Sequence, residues 1–152
     1  MLFFLLSAIY QRWSDMEKSI EANKKSHIYT SGDRFSKEEI ADLMIEAKDK
    51  LPKLVSRYAK NMDIEYEKVL VKCQKTRWGS CSDRGNISLN CLLMWVPSYV
   101  RKYVIVLELA HRKIMSHSTE FWNMVAAEMP DYKKAIKWLN NNGNELIERL
   151  SA

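Results

Sequence analysis

Cysteine is sparse in this chain, and the little there is falls into no framework. Cys73, Cys81 and Cys91 stand eight and ten positions apart. An odd count without a C-x-x-C pair describes neither a disulfide scaffold nor a thiolate zinc site. Reduced thiols in a cytoplasmic protein are the simplest account of them. Long apolar runs are missing too. Crossing a bilayer as a helix takes roughly 20 apolar residues, and the nearest approach, Met1 to Tyr10, falls well short. No positive charge precedes that stretch, as a secretory leader would need. It is expected to be a strand or short helix packing on the domain, with a membrane or partner contact as the alternative. Internal repeats, low-complexity tracts and clear interdomain linkers are also lacking, so the chain offers no seam at which to divide it into two full domains.

What is present suits one globular domain. The chain has 152 residues, of which 47% are hydrophobic and 28% charged, a balance that supports a core and argues against disorder. Its 24 Lys and Arg against 19 Asp and Glu give a net charge of +5. That mildly favours anionic partners, nucleic acid among them. The basic residues are scattered, however, as on an ordinary solvated face.

Residues 1–35 carry no readable periodicity, and Ser31-Gly32-Asp33 is a turn signal that separates them from a domain spanning 36–152. Ser36 with Glu39 three positions on forms a capping box. The spacing of Ile40, Leu43, Met44, Ala47, Leu51, Leu54, Val55 and Tyr58 predicts a helix from Lys37 to about Asn61, kinked or divided at Pro52. Lys68–Gln74 and Asn86–Asn90 read as strands, joined by a polar loop from Lys75 to Gly85 and expected to pair antiparallel. Leu92 to Val96 stays apolar up to Pro97, which suits the first turn of a helix running to about Met115. That helix is apolar around much of its circumference and is expected to be buried. Ser118 caps a helix over Thr119–Met129, with Glu120 near its positive end. Pro130 opens another through Asn140, which Asn141-Asn142-Gly143 should end, and a short helix over Glu145–Leu150 closes the chain.

The buried helix carries the chemistry. It contains Leu107-Glu108-Leu109-Ala110-His111, followed by His117, and so holds two of the three histidines in the chain beside an acid. With His in place of Leu107, the segment would read H-E-x-x-H with a third histidine six positions on. In such a site, residues i and i+4 of one helix face put two imidazoles on one Zn²⁺. The Glu between them polarises the metal-bound water, and a third ligand arrives from beyond the helix. Leucine has no lone pair to donate and sets apolar bulk against the metal position.

From about Lys68 to Leu139 the sequence resembles the YgjP-like metallopeptidase domain, a group of predicted zinc hydrolases related to the SprT and WLM proteases and to other H-E-x-x-H peptidases. The resemblance rests on Thr76-Arg-Trp-Gly-Ser-Cys81, Asn86-Ile-Ser-Leu-Asn90, Glu108-Leu-Ala-His111, His117-Ser118, Phe121-Trp122 and Pro130-Asp131-Tyr132, in the family's order and spacing. It implies a zincin-like α+β fold, with a small antiparallel sheet packed on several helices that include the active-site helix. It also implies zinc as the cofactor and a peptide or protein as the substrate. By position, Glu108 would be the general base and proton shuttle, and His111 and His117 would be two of the three metal ligands. Leu107 occupies the place of the first.

Losing even a partner that only orients a ligand typically costs ~10–100-fold in metal affinity or activity, and losing a ligand itself should cost at least that much. Glu108 swinging in as a ligand would consume the base, and His27 or Glu120 as a substitute has no support in the sequence. In related peptidases an edge strand near the active helix pairs with an extended substrate. Asn86–Asn90 is the candidate strand, with Asn86, Ser88, Asn90, Arg77 and Trp78 as candidate substrate-binding residues. Arg77 and Trp78 read somewhat more simply as structural, one pairing with a carboxylate and the other packed. Phe121, Trp122 and Trp138 read most simply as core. Three functions stay open: a zinc peptidase with an impaired centre, a catalytically inactive binding module for peptide or protein, and a DNA-associated protein like the SprT and WLM relatives.

Overall fold

Ser36 caps the first helix of the described residues. Its hydroxyl accepts from the Glu39 N–H at 3.1 Å and the Glu39 carboxylate accepts from the Ser36 N–H at 2.7 Å, so the expected capping box is complete. The structure is a computed structural model that describes residues 34–150. His27, the Ser31–Asp33 turn and the apolar N-terminal stretch lie outside the described residues. The described residues, 34–150, belong to one compact unit.

Helix α1 spans Lys37–Met62 and is not divided at Pro52. The pyrrolidine removes one ladder hydrogen bond, but Leu51 and Val55 on either side are fully buried. Each such burial contributes roughly 1.5–3 kcal/mol, enough to hold the helix through the gap. Asp63, in the left-handed conformation at φ 53°, ends it.

Three strands follow: β1 (Lys68–Lys72), β2 (Gly79–Cys81) and β3 (Asn86–Asn90), in the sheet order β1-β3-β2. The fold is α+β, as expected, but the sheet is mixed. β1 pairs with β3 in parallel, with Lys68 opposite Asn86, while β2 pairs with β3 antiparallel. The cause is β2 itself. The segment read as loop contains a short strand that turns the chain once before β3, so β1 and β3 end up pointing the same way. Ser82 to Gly85 make the β2–β3 turn, with the Gly85 N–H donating to Ser82 O at 2.9 Å and φ +91° at Gly85.

A 3₁₀ turn over Cys91–Met94 leads to α2 (Ser98–Ala110), with Pro97 immediately before it. Val100, Tyr103 to Val106 and Glu108 to Ala110 are all buried, so α2 is the central helix, packed on α1 and on the sheet. Next comes α3 (Thr119–Glu128), capped by the Ser118 hydroxyl, which accepts from the Phe121 N–H at 3.4 Å. The final helix α4 (Tyr132–Glu148) runs unbroken through Asn141-Asn142-Gly143, where a stop was expected. Gly143 is not a cap. A Cβ there would lie 3.3 Å from Trp78 Nε1 and 3.6 Å from Trp78 Cζ2. The glycine is there for the close approach of the indole. Among the described residues no helix is long and apolar enough to cross a membrane.

Candidate functional site

Helix α2 delivers Glu108 into a nearly dry position. The residue keeps 7% of its surface, and burial raises its carboxyl from the ordinary 4.5 to about 7, against a smaller opposing pull from the Arg77 guanidinium. The wall opposite the carboxylate is β2. A Cβ on Gly79 would meet Glu108 Cγ at 3.0 Å, Ser88 O at 3.2 Å and Val104 Cγ1 at 3.3 Å. Only glycine lets the strand lie this close. Tyr103 lies near the same carboxylate. Its phenol is pushed up to about 12 by burial first, then by the charge of Glu108 and by Tyr132. From the sequence Tyr103 reads as helix core, and nothing local sets Gly79 against Glu108. The glycine inside a family motif was the available signal for the second, while a tyrosine in an apolar helix gave none for the first.

His111 stands at the C-terminal cap of α2 and His117 at the start of α3, across a short connection. Their rings meet edge to face at 4.9 Å between centroids. His111 Nδ1 lies 3.1 Å from Ile114 O. A carbonyl only accepts, so Nδ1 carries the hydrogen and the neutral ring presents its lone pair at Nε2. This is how metal-binding histidines are commonly oriented. Aromatic side chains hold both rings. Phe121 stacks on His111 at 4.5 Å, Trp122 stacks on His117 at 5.9 Å, and Tyr132 stacks on Trp122 at 5.3 Å. Phe121 is fully buried, as a core residue would be, yet with Trp122 it also forms the sides of an imidazole clamp.

Arg112 locks this end of α2 to the sheet. Its Nε donates to Glu65 O at 3.1 Å and its Nη1 to Asp83 O at 3.3 Å, and its guanidinium fills the space above Gly85. A surface depression of 380 Å³ beside it is lined by Asp63, Ile64, Glu65, Arg112 and Lys113, and includes none of Glu108, His111 and His117.

Leu107 is half-buried, one turn before His111 on the same helix. It offers no donor atom. Among the described residues no group of three or more His, Cys, Asp or Glu side chains is arranged to hold a metal ion. The two imidazoles suit a metal in orientation, but the donor set does not fit a three-histidine zinc centre. Glu120 is exposed in the first turn of α3 and does not complete it.

The candidate substrate residues divide. β3 is the central strand, paired on both sides, so Asn86–Asn90 presents no free edge. This corrects the expectation that it would pair with substrate; the edge beside α2 is β2. Ser88 is buried beneath Gly79. Asn90 is fully buried and occupied: its Nδ2 donates to Gln74 O at 2.8 Å and Arg77 O at 3.1 Å, and its Oδ1 accepts from the Leu92 N–H at 3.0 Å. Asn86 Oδ1 is buried without a partner among the described residues. Trp78 packs on Gly143, in line with its structural reading. Arg77 is exposed, with its charge acting on Glu108.

Comparison with known proteins adds ancestry. Residues 6–142 match the family model described as YgjP-like, metallopeptidase domain. Among solved structures, the chain is similar to one titled as the metallopeptidase zymogen of Pyrococcus abyssi abylysin. The two share 20% identity with a TM-score of 0.52, over 59% of this chain and 91% of that one, a likeness of fold. No curated protein matches the sequence.

Proposed function

This chain belongs to the YgjP-like metallopeptidase domain family, and on that premise we propose that it acts on peptide or protein segments through a zinc-peptidase cleft whose metal centre is impaired. Leu107 carries this reading: a half-buried leucine stands where the family's first imidazole belongs. Zinc, where the family binds it, supplies an activated water. Here His111 and His117 are the two remaining ligands. Glu108 is the base, and a carboxyl titrating near 7 suits a group that must both take and give a proton at neutral pH. Tyr103 stays protonated near it, its phenol pushed up to about 12. The outer side of β2 is the edge against which an extended segment would lie.

A second reading, a binding module without turnover, is favoured by the lack of any metal-holding group of three among the described residues. Metal analysis of protein purified without added zinc, beside a Leu107→His variant, separates the two. The impaired-centre reading expects zinc well below one equivalent in the unaltered protein. In the variant it expects near-stoichiometric zinc, with peptide hydrolysis rising on the order of 100-fold. Stoichiometric zinc in the unaltered protein would sink it. A variant that gains zinc without hydrolysis would favour the binding module.

A further inference from the structure

Two of the three scattered cysteines come together in the fold. The parallel register of β1 and β3 sets Lys72 opposite Asn90, and the next position on each side is Cys73 and Cys91. Opposed positions on neighbouring strands lie roughly 4.8 Å apart, inside the Cα separation of about 4.4–6.8 Å that a disulfide spans. The sulfurs are in contact at 2.7 Å. Cys73 is exposed and Cys91 buried. Cys81 takes no part; it lies on β2 with its thiol toward Ser82 O at 3.5 Å.

We propose that Cys73 and Cys91 are a reversible redox pair, oxidised to a disulfide by exchange with a small-molecule disulfide of the glutathione type. The exposed Cys73 thiolate attacks one sulfur of the small disulfide, breaking its S–S bond and releasing one thiol. The Cys91 sulfur then attacks the mixed disulfide at Cys73 and displaces the second. Two protein thiols are oxidised by two electrons, one small disulfide is reduced to two thiols, and the two thiol protons pass to those leaving groups. Burial and the neighbouring sulfur hold the Cys91 thiol well above its ordinary range, so the second step is the slower one.

What the bond would tie down gives the pair its meaning. Asn90 lies next to Cys91 and is the hub of the segment after Cys73. Its side chain holds the carbonyls of Gln74 and Arg77, and its N–H donates to Trp78 O at 2.9 Å. That segment carries Arg77, whose charge acts on Glu108, and runs into Gly79, which lies against the same carboxylate. A Cys73–Cys91 bond fixes the root of the segment that shapes the buried acid, so thiol oxidation outside the cleft sets how freely the cleft wall moves. The inference is independent of metal binding and of turnover.

The full chain is equilibrated in glutathione and glutathione disulfide at graded ratios, quenched with acid, alkylated, and read by intact mass and peptide mapping. Toward the oxidised end, two of the three thiols should become protected, with the mass of two hydrogens lost, Cys73 linked to Cys91, and Cys81 still alkylated. Reduction should reverse this, and the bond should raise Tm by roughly 5–10 °C. Oxidised Cys73→Ser should show neither the link nor the Tm rise. Cys91→Ala should stop at a glutathione adduct on Cys73. Three results would overturn the proposal: all thiols alkylated at the most oxidising ratio, unaltered protein stopping at the same adduct, or a disulfide-linked dimer.

Discussion

The two sides of the candidate cleft are held by different physics. On the carboxylate side, Glu108 is buried between its own helix and a strand that approaches to van der Waals contact because residue 79 has no side chain. On the imidazole side, His111 and His117 lie on a partly open turn, kept in place by a backbone carbonyl and a stack of aromatic rings. The first side stores electrostatic cost; the second is a packed frame of rings around two imidazoles. The buried acid and the paired imidazoles are thus supported separately, so that one can be perturbed without the other.

Substitutions on each side should break this contrast in different ways. The largest effect is expected from Phe121→Ala, which empties a fully buried site and removes the ring stacked on His111. It should cost about 3–5 kcal/mol in urea unfolding and shift the His111 and His117 ring resonances, while leaving the titration of Glu108 near its original value.

Next is Glu108→Gln. The folded carboxyl titrates at about 7 and the ordinary one at 4.5, so between those pH values the folded state keeps a proton that the unfolded state has released. Stability from this group is therefore greatest below 4.5, falls as pH rises to about 7, and is flat above. The difference corresponds to roughly 3 kcal/mol. Glu108→Gln should remove that slope and unfold at higher urea than the parent at pH 8; an unchanged slope would show that another group carries it.

The smallest effect is expected from Gly79→Ala, which forces a methyl group against Glu108 Cγ and Ser88 O. Overpacking of this kind costs about 1–3 kcal/mol. The sharper reading is selectivity: the Glu108 titration should move, and the histidine resonances should not.

Much of this was legible in the sequence. The capping box at Ser36, the cap at Ser118 and the buried character of α2 follow from local chemistry, and the structure has all three. What was hidden depends on partners distant in the chain. Strand direction could not be read, because it hinges on β2, three residues long and rich in small polar groups. The central place of β3 follows from the same strand. Gly143 has the look of a helix stop until Trp78 arrives against it. Cys73 and Cys91 seem unrelated at eighteen positions apart until the parallel register brings them level. That Glu108, His111 and His117 fall close together was readable, because their spacing along the chain is short. What Phe121 and Trp122 do for those rings was not.

The indole of Trp78 over Gly143 has a further consequence, in what it couples. A glycine in the middle of α4 weakens that helix by about 1 kcal/mol relative to alanine, and the contact that offsets this comes from a residue far back in the chain. The last turns of α4 therefore gain their full stability only once the Trp78 segment has docked. That segment leads directly into the wall beside Glu108. The stability of α4 and the shaping of the buried acid are thus coupled through one indole.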